Sequence, residues 1–366
     1  MAQFIQGLEL SRLYYLEAVK PILDAHFPDL RYDAALIGSG SEVLGFDTAR
    51  STDHHWGCRV MLFLSEADHT RCAPEMDAAL RRELPHRFRG YATSMTPDAG
   101  EPWVLHFDEG RTAGEVAHFN SIRTLSDFLQ EALEWDGVTP LDVTDWLTFP
   151  QQNLRVLTAG GVWDSGLGAV ERVRQQLAYF PHDVWLYLLA AGWARIGQEE
   201  AFVGRGGEVG DELGSRVITA RLIRDLMFLC FLMERVYAPY PKWYGTAFAR
   251  LKCASTLTPI FHRALSAQGW QQREAHLCHA YETIAKMHNE LGVTELLPTD
   301  VTRYHGRPFN VIHGDRFADA LVKAINDPEV KRIAQQALIG SIDQFSDSTD
   351  FRANLRKREL LKALYR

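Results

Sequence analysis

No C-x-x-C pair occurs in these 366 residues, and the cysteines Cys58, Cys72, Cys230, Cys253 and Cys278 are odd in number and widely spaced. That excludes a disulfide-stapled scaffold and points to free thiols in a reducing compartment. Long hydrophobic runs are also missing. The longest uncharged apolar stretch, Val184 to Ala194, is about half of what spans a bilayer. The N-terminal MAQFIQGLELSRLYY lacks the basic and apolar regions of a signal peptide. A cytoplasmic protein with no membrane partner is the expectation. There is no low-complexity tract and no repeat of fixed period, which argues against a solenoid. Nor is one charge sign dominant: 39 basic against 47 acidic residues give −8. Such a balance supplies no field for gathering duplex DNA, and no nucleic-acid partner is expected. What is present is ordinary globular material, 46% hydrophobic and 23% charged, in a chain long enough for two or three domains.

Texture changes near residue 150. Before it, short β-like runs alternate with helical ones. The apolar spacing predicts a helix over 5–26, strands over 33–37, 59–64, 103–107 and 116–124, and helices over 74–84 and 125–133. Pro74 is placed in the first turn of its helix. After residue 150, helix follows helix: 167–177, 183–202, 208–236, 255–268, 270–291, 315–326 and 328–343, with 141–148 just before. Gly204-Arg205-Gly206-Gly207 is expected to break two of the longest. Trp163, Trp185 and Trp193 are expected in the core, and the basic residues Arg352, Arg356, Lys357, Arg358, Lys362 and Arg366 on a solvated last helix. The fold class is α+β: a mixed sheet with flanking helices over 1–150, then an all-helical domain over 151–366.

The most informative stretch is Ile37 to Leu64, IGSGSEVLGFDTARSTDHHWGCRVMLFL. A strand ends in Gly38-Ser39, where a glycine lets phosphate approach backbone N–H groups and the serine adds a donor. Asp53 and His55 stand two apart just before the next strand, so in an extended segment they project to one side. A carboxylate beside a phosphate cradle suits Mg²⁺ across a triphosphate. His55-x-x-Cys58 and His69-x-x-Cys72 share zinc-ligand spacing, but a strand separates the pairs and Cys58 points into it.

Strand, Gly-Ser, short helix, then an acidic pair at the next strand resembles the nucleotidyltransferase superfamily. The stretches GSGSEVLGFD, STDHHWG, DWLTFP, QEEAFVGRGGEVGDELGS and RVYAPYPKWYGTAF are similar to a bacterial family of unknown function, in which a nucleotidyltransferase-like domain precedes a helical one. The resemblance implies that Gly38 and Ser39 hold phosphate, and that Asp53 and His55 hold Mg²⁺ or Mn²⁺. Two departures stand out. His55 replaces the usual second acid, and hard cations prefer oxygen. A third carboxylate would fall within 115–123, where Glu115, Asn120 and Ser121 are the choices.

In the helical half, Glu199 and Glu200 end one helix and Glu208, Asp211 and Glu212 begin the next around a glycine-rich elbow, as helix capping, as contacts for a cationic or polyhydroxyl acceptor, or as the base for its hydroxyl. Lys242, between Pro241 and Trp243, is a candidate for triphosphate oxygens; Arg216 and Arg224 read as structural ion pairs. The function expected is transfer of a nucleotidyl group from ATP or another nucleoside triphosphate to a hydroxyl of a small-molecule or protein acceptor. The alternative is a catalytically degenerate protein on the same fold, acting as a nucleotide-binding or scaffold protein.

Overall fold

The computed structural model describes residues 4–366 and divides into two compact units. One runs to Pro140 and takes in Asn153–Ala178; the other is Leu141–Gln152 with Tyr179–Arg366. The architecture is α+β, with helix outweighing strand 55% to 9%. Among the described residues no helix is long and apolar enough to cross a membrane.

The first unit opens with helix α1 (Gly7–Tyr14), which widens into a π turn at Tyr15–Val19 and continues over Lys20–His26. The wide turn comes just before Pro21, which has no N–H to give the regular ladder. Leu10, Tyr14, Val19 and Leu23 face inward and are fully buried. They cover a four-stranded sheet made of β1 (Asp33–Leu36), β2 (Met61–Leu64), β3 (Ser121–Thr124) and β4 (Gly161–Ser165), in the order β3-β2-β1-β4. β2 and β4 run antiparallel to β1, and β3 parallel to β2.

β4 and a helix over Gln151–Thr158 lie where the sequence pattern shows only later helices. Gly160 admits the strand: its φ is +71° and a Cβ there would sit 2.0 Å from the Leu36 carbonyl oxygen. Helix α2 (Glu66–Glu83) begins well before Pro74, because the Ser65 hydroxyl caps it by accepting the Asp68 N–H at 3.1 Å. Pro74 therefore sits inside the helix, where it forfeits one backbone bond. Helix α3 (Leu125–Leu133) follows β3 with Thr124 as its cap.

One buried carboxylate closes this unit. Asp33, the first residue of β1, has no exposed surface. Its Oδ1 accepts the N–H groups of Leu167 and Gly168 at 2.8 and 2.9 Å, and its Oδ2 those of Ala169 and Val170 at 2.8 and 2.9 Å. It thereby caps helix α4 (Ala169–Gln176), whose own cap position is a glycine with nothing to offer.

The second unit packs helices α5 (His182–Glu199), α6 (Phe202–Glu208), α7 (Glu212–Met233), α8 (Ala254–Ser266), α9 (Trp270–Glu290) and α10 (Gly314–Ala324). Trp185 and Trp193 are in its core, and Trp193 stacks on Phe317 with ring centroids 4.3 Å apart. Trp163, in the first unit, is only half-buried. Gly204-Arg205-Gly206-Gly207 does not break the chain. It forms most of α6, and the breaks fall at Glu200–Ala201 and Val209–Asp211, around Gly210 at φ +81°. A Cβ on Gly207 would lie 2.1 Å from Trp270, and one on Gly204 2.4 Å from Phe309. These glycines are there for close approach, not for turning.

The C-terminal basic residues do not all face solvent. Arg352 is buried against Asp343 at 2.9 Å, Arg358 against Asp145 at 2.8 Å, and Lys362 reaches the same Asp145 at 2.7 Å.

Replacing Asp33 by Ala leaves four backbone donors without their carboxylate. A loss of about 3–5 kcal/mol in unfolding free energy is expected from urea denaturation, with Asp33→Asn intermediate. A change below about 1 kcal/mol would remove Asp33 from this role.

Candidate functional site

β1 leads through Ile37 into Gly38, whose φ of +85° turns the chain. The Gly38 N–H bonds the Val156 carbonyl at 2.9 Å, so it is already committed to the fold. The phosphate role expected of that backbone group is therefore not carried by its N–H. Ser39 is exposed, and its carbonyl accepts Arg59 Nη2 at 2.7 Å. The same guanidinium grips Glu42 through Nε at 3.0 Å and Nη2 at 2.5 Å. Glu42 is almost wholly buried, so the pair is strongly held. Arg59 thus clasps the turn after β1 to the segment entering β2. Its guanidinium also lies over the Phe119 ring, 5.3 Å from the centroid.

Asp53 and His55 lie beside this clasp, but not as alternate residues of one extended run. The Thr48 hydroxyl caps a 3₁₀ turn over Ala49–Asp53. His54 is then extended, and His55 takes a left-handed φ of +48°. β2 starts only at Met61. Asp53 is exposed, with Oδ1 3.0 Å from His54 Nδ1, and its carbonyl meets His106 Nδ1 at 2.6 Å. The His55 N–H bonds the Leu105 carbonyl at 2.9 Å, and its ring stands 6.1 Å from Phe119. Burial, then the neighbouring His54, push the His55 pKa below its ordinary value, so the ring is mostly neutral at pH 7. Trp103, whose backbone bonds His55, is 71% exposed. The surface therefore gathers one guanidinium, three imidazoles, an exposed indole and two carboxylates, Asp53 beside His54 and Asp98 at 3.3 Å from His106 Nε2.

The donor set does not fit a pair of Mg²⁺ ions. Asp53 supplies one carboxylate and His55 a neutral imidazole. On the β3 side, Asn120 spends its carbonyl on the Val60 N–H at 3.1 Å and its amide on Tyr14, while Glu115 is exposed before the strand. Among the described residues, no three His, Cys, Asp or Glu side chains group as a metal-ligand set. Hard divalent ions want several oxygens. Cys58 is buried and its thiol is pushed up to about 12, which keeps it protonated and inert.

In the helical unit the expected acids are dispersed in role. Asp211 caps α7, its Oδ1 accepting the Gly214 N–H at 2.8 Å. Glu212 pairs with the fully buried Arg273, at 3.0 Å to Nη1 and closer to Nη2. Glu208 is exposed at the end of α6. Lys242 is exposed in the 3₁₀ turn Pro241–Trp243, with Nζ 5.0 Å from the Trp243 ring centroid. Arg224 pairs with Asp347, and Arg216 bonds the Gln268 carbonyl at 3.3 Å.

Two acids are buried: Glu200, one of the acids the sequence places around the elbow, and Glu274, which sequence reading missed. Glu200 receives the N–H groups of Ile312, His313 and Gly314 at 2.6, 3.2 and 3.2 Å. Glu274 lies under Gly204, with Oε1 buried and unpartnered. Burial raises both to about 7, against the smaller pull of the backbone amides. Nothing in the local sequence separates these from surface glutamates; only the folded packing does.

A family model described as a domain of unknown function (DUF4037) matches residues 146–244, which is 99 of the 366 residues. Over that stretch the chain is similar to the family, and the description carries no activity. No curated protein and no solved structure matches the chain.

The folded chain keeps a proton on Glu274 up to about pH 7, while the unfolded chain releases it near 4.5. Its contribution is therefore full below 4.5 and is lost as pH rises through 7. Glu274→Gln is expected to flatten the fall in stability between pH 5 and 8 by about 1–3 kcal/mol, read by urea unfolding at both pH values. Equal slopes in the two proteins would contradict this.

Proposed function

We propose that the first unit binds a nucleotide where Ser39, Asp53, His55 and Arg59 lie, and that it does so without two-metal nucleotidyl transfer. The supporting observation is the Arg59 clasp. It sets the turn after β1 beside the His54-His55 segment, with Phe119 and the exposed Trp103 at hand. The Ser39 hydroxyl and the exposed His54 imidazole are suited to phosphate oxygens. The Trp103 indole offers a face for the base, a contact worth roughly 1–3 kcal/mol in other systems. Asp53, with the neutral His55 where a second carboxylate is wanted, favours binding over transfer. The protein then acts as a nucleotide-binding or scaffold protein, the helical unit being its output.

A second reading retains transfer from ATP or another triphosphate to an acceptor hydroxyl. The Asp53 carboxylate favours it, being exposed and partnered only by His54. Mg²⁺ and Mn²⁺ are often held by one or two carboxylates plus substrate phosphates. The acceptor oxygen would then bond the α-phosphorus as the bond to pyrophosphate breaks. Its proton would pass to the neutral His55 imidazole.

Thermal-shift titration with the four ribonucleoside triphosphates, with Mg²⁺, with Mn²⁺ and with chelator, separates these. Saturation near 100 times Kd adds about 2.7 kcal/mol, a rise of a few degrees for a chain of this size. The expected result is a shift that persists in chelator and in Asp53→Ala but shrinks in Trp103→Ala. A shift seen only with metal and lost in Asp53→Ala supports the second reading. No shift with any triphosphate overturns both.

A further inference from the structure

The helical unit holds a cavity of about 290 Å³, lined by Arg224, Phe228, Ala238, Pro239, Pro241, Tyr244, Asp343 and Arg352. Its walls are mostly apolar, but Arg352, on the lining, and Gln151, bonded to the lining residues Asp343 and Ala238, each keep a buried donor without a partner. Arg352 is 8% exposed; its Nη1 bonds Asp343 Oδ1 at 2.9 Å, while its Nη2 is buried and unbonded. Gln151 is wholly buried. Its backbone N–H gives to Asp343 Oδ2 at 2.8 Å, and its side-chain oxygen accepts the Ala238 N–H at 2.8 Å. Its Nε2 is left without an acceptor. Arg352 is tied to Asp343, and Gln151 to Asp343 and Ala238, so both orphan donors sit on or against residues of the lining and each calls for an oxygen acceptor.

Charge narrows the class. The lining carries two guanidinium groups and one carboxylate, an excess of one positive charge. Arg224 is also bonded outward to Asp347, whose side chain is largely exposed. With Asp343 holding Arg352, a monoanion that takes the place of the exposed Asp347 on Arg224 keeps the site neutral, whereas a phosphate dianion overshoots it. The volume lies at the small end of ligand pockets, and Phe228, Pro239 and Pro241 offer an apolar wall.

We propose that this cavity is a binding site for a small monocarboxylate with a compact apolar body, its carboxylate taken by Arg352 with Gln151 and steered by Arg224. The site belongs to the helical unit and does not depend on the nucleotide reading.

The test uses the full-length protein and three probes of one shape: phenylacetate, its neutral amide phenylacetamide, and phenyl phosphate. Melting temperature and ligand-observed NMR report binding. Phenylacetate is expected to raise Tm by a few degrees near saturation. The amide is expected to bind at least about tenfold more weakly, as a lost charged contact of about 1.4 kcal/mol requires, and phenyl phosphate more weakly than phenylacetate. Arg352→Gln removes the principal donor but also disturbs the pair with Asp343. Arg224→Gln leaves that pair in place and is expected to weaken phenylacetate about tenfold with the unliganded Tm little changed. No binding of phenylacetate, equal binding of acid and amide, or unchanged affinity in Arg224→Gln would each overturn the proposal.

Discussion

The four backbone bonds received by Asp33 hold the first unit together. The residue opens β1, while its partners lie 134 to 137 residues later, where β4 gives way to α4. A carboxylate accepting that many N–H groups satisfies a helix start that its own glycine cap cannot. It also fixes β4 against β1, so the segment 153–178 belongs with the sheet although the chain leaves that unit between 141 and 152. The position of the Gly38–Ser39 turn follows, because Gly38 bonds Val156 in the returning segment.

The helical unit repeats the device. Glu200 gathers three N–H groups at the entry to α10, and Asp343 takes the Gln151 N–H together with the Arg352 guanidinium. In each case a buried acid ends a loop that no local pattern would order. The cost of burying such groups is met by several donors at once, in keeping with the general behaviour of buried charge. Glu274 is the exception, a buried acid with one oxygen unpartnered, and with Glu200, which burial also raises to about 7, it makes the unit sensitive to pH.

Long apolar spacing made much of the fold legible: α3, α5, α7 and α9 lie where their stripes of Leu, Ile, Phe and Trp place them. β4 was not legible. Gly161-Val162-Trp163-Asp164-Ser165 is short and half-buried, and its pairing partner is remote in sequence. Gly204-Arg205-Gly206-Gly207 looks like a break because glycine has two uses, turning and close approach, and only Trp270 and Phe309 reveal which applies. Asp53 and His55 were recognisable as residues, but their geometry was not. The Thr48 cap winds the chain before Asp53, and the left-handed His55 removes the alternation that would align the two side chains. Arg59 was overlooked because its value lies in reaching Glu42 and Ser39 across a turn.

The chemistry follows from what surrounds that turn. On the proposed reading, two carboxylates each beside a histidine, with an exposed indole, hold a nucleotide rather than a pair of metal ions across a reacting phosphate. The most direct measurement is pyrophosphate release from each ribonucleoside triphosphate, with Mg²⁺ or Mn²⁺, in wild type and in Asp53→Ala. The account predicts no release above the Asp53→Ala background under conditions where nucleotide is bound. Metal-dependent release in the wild type that Asp53→Ala abolishes would contradict it.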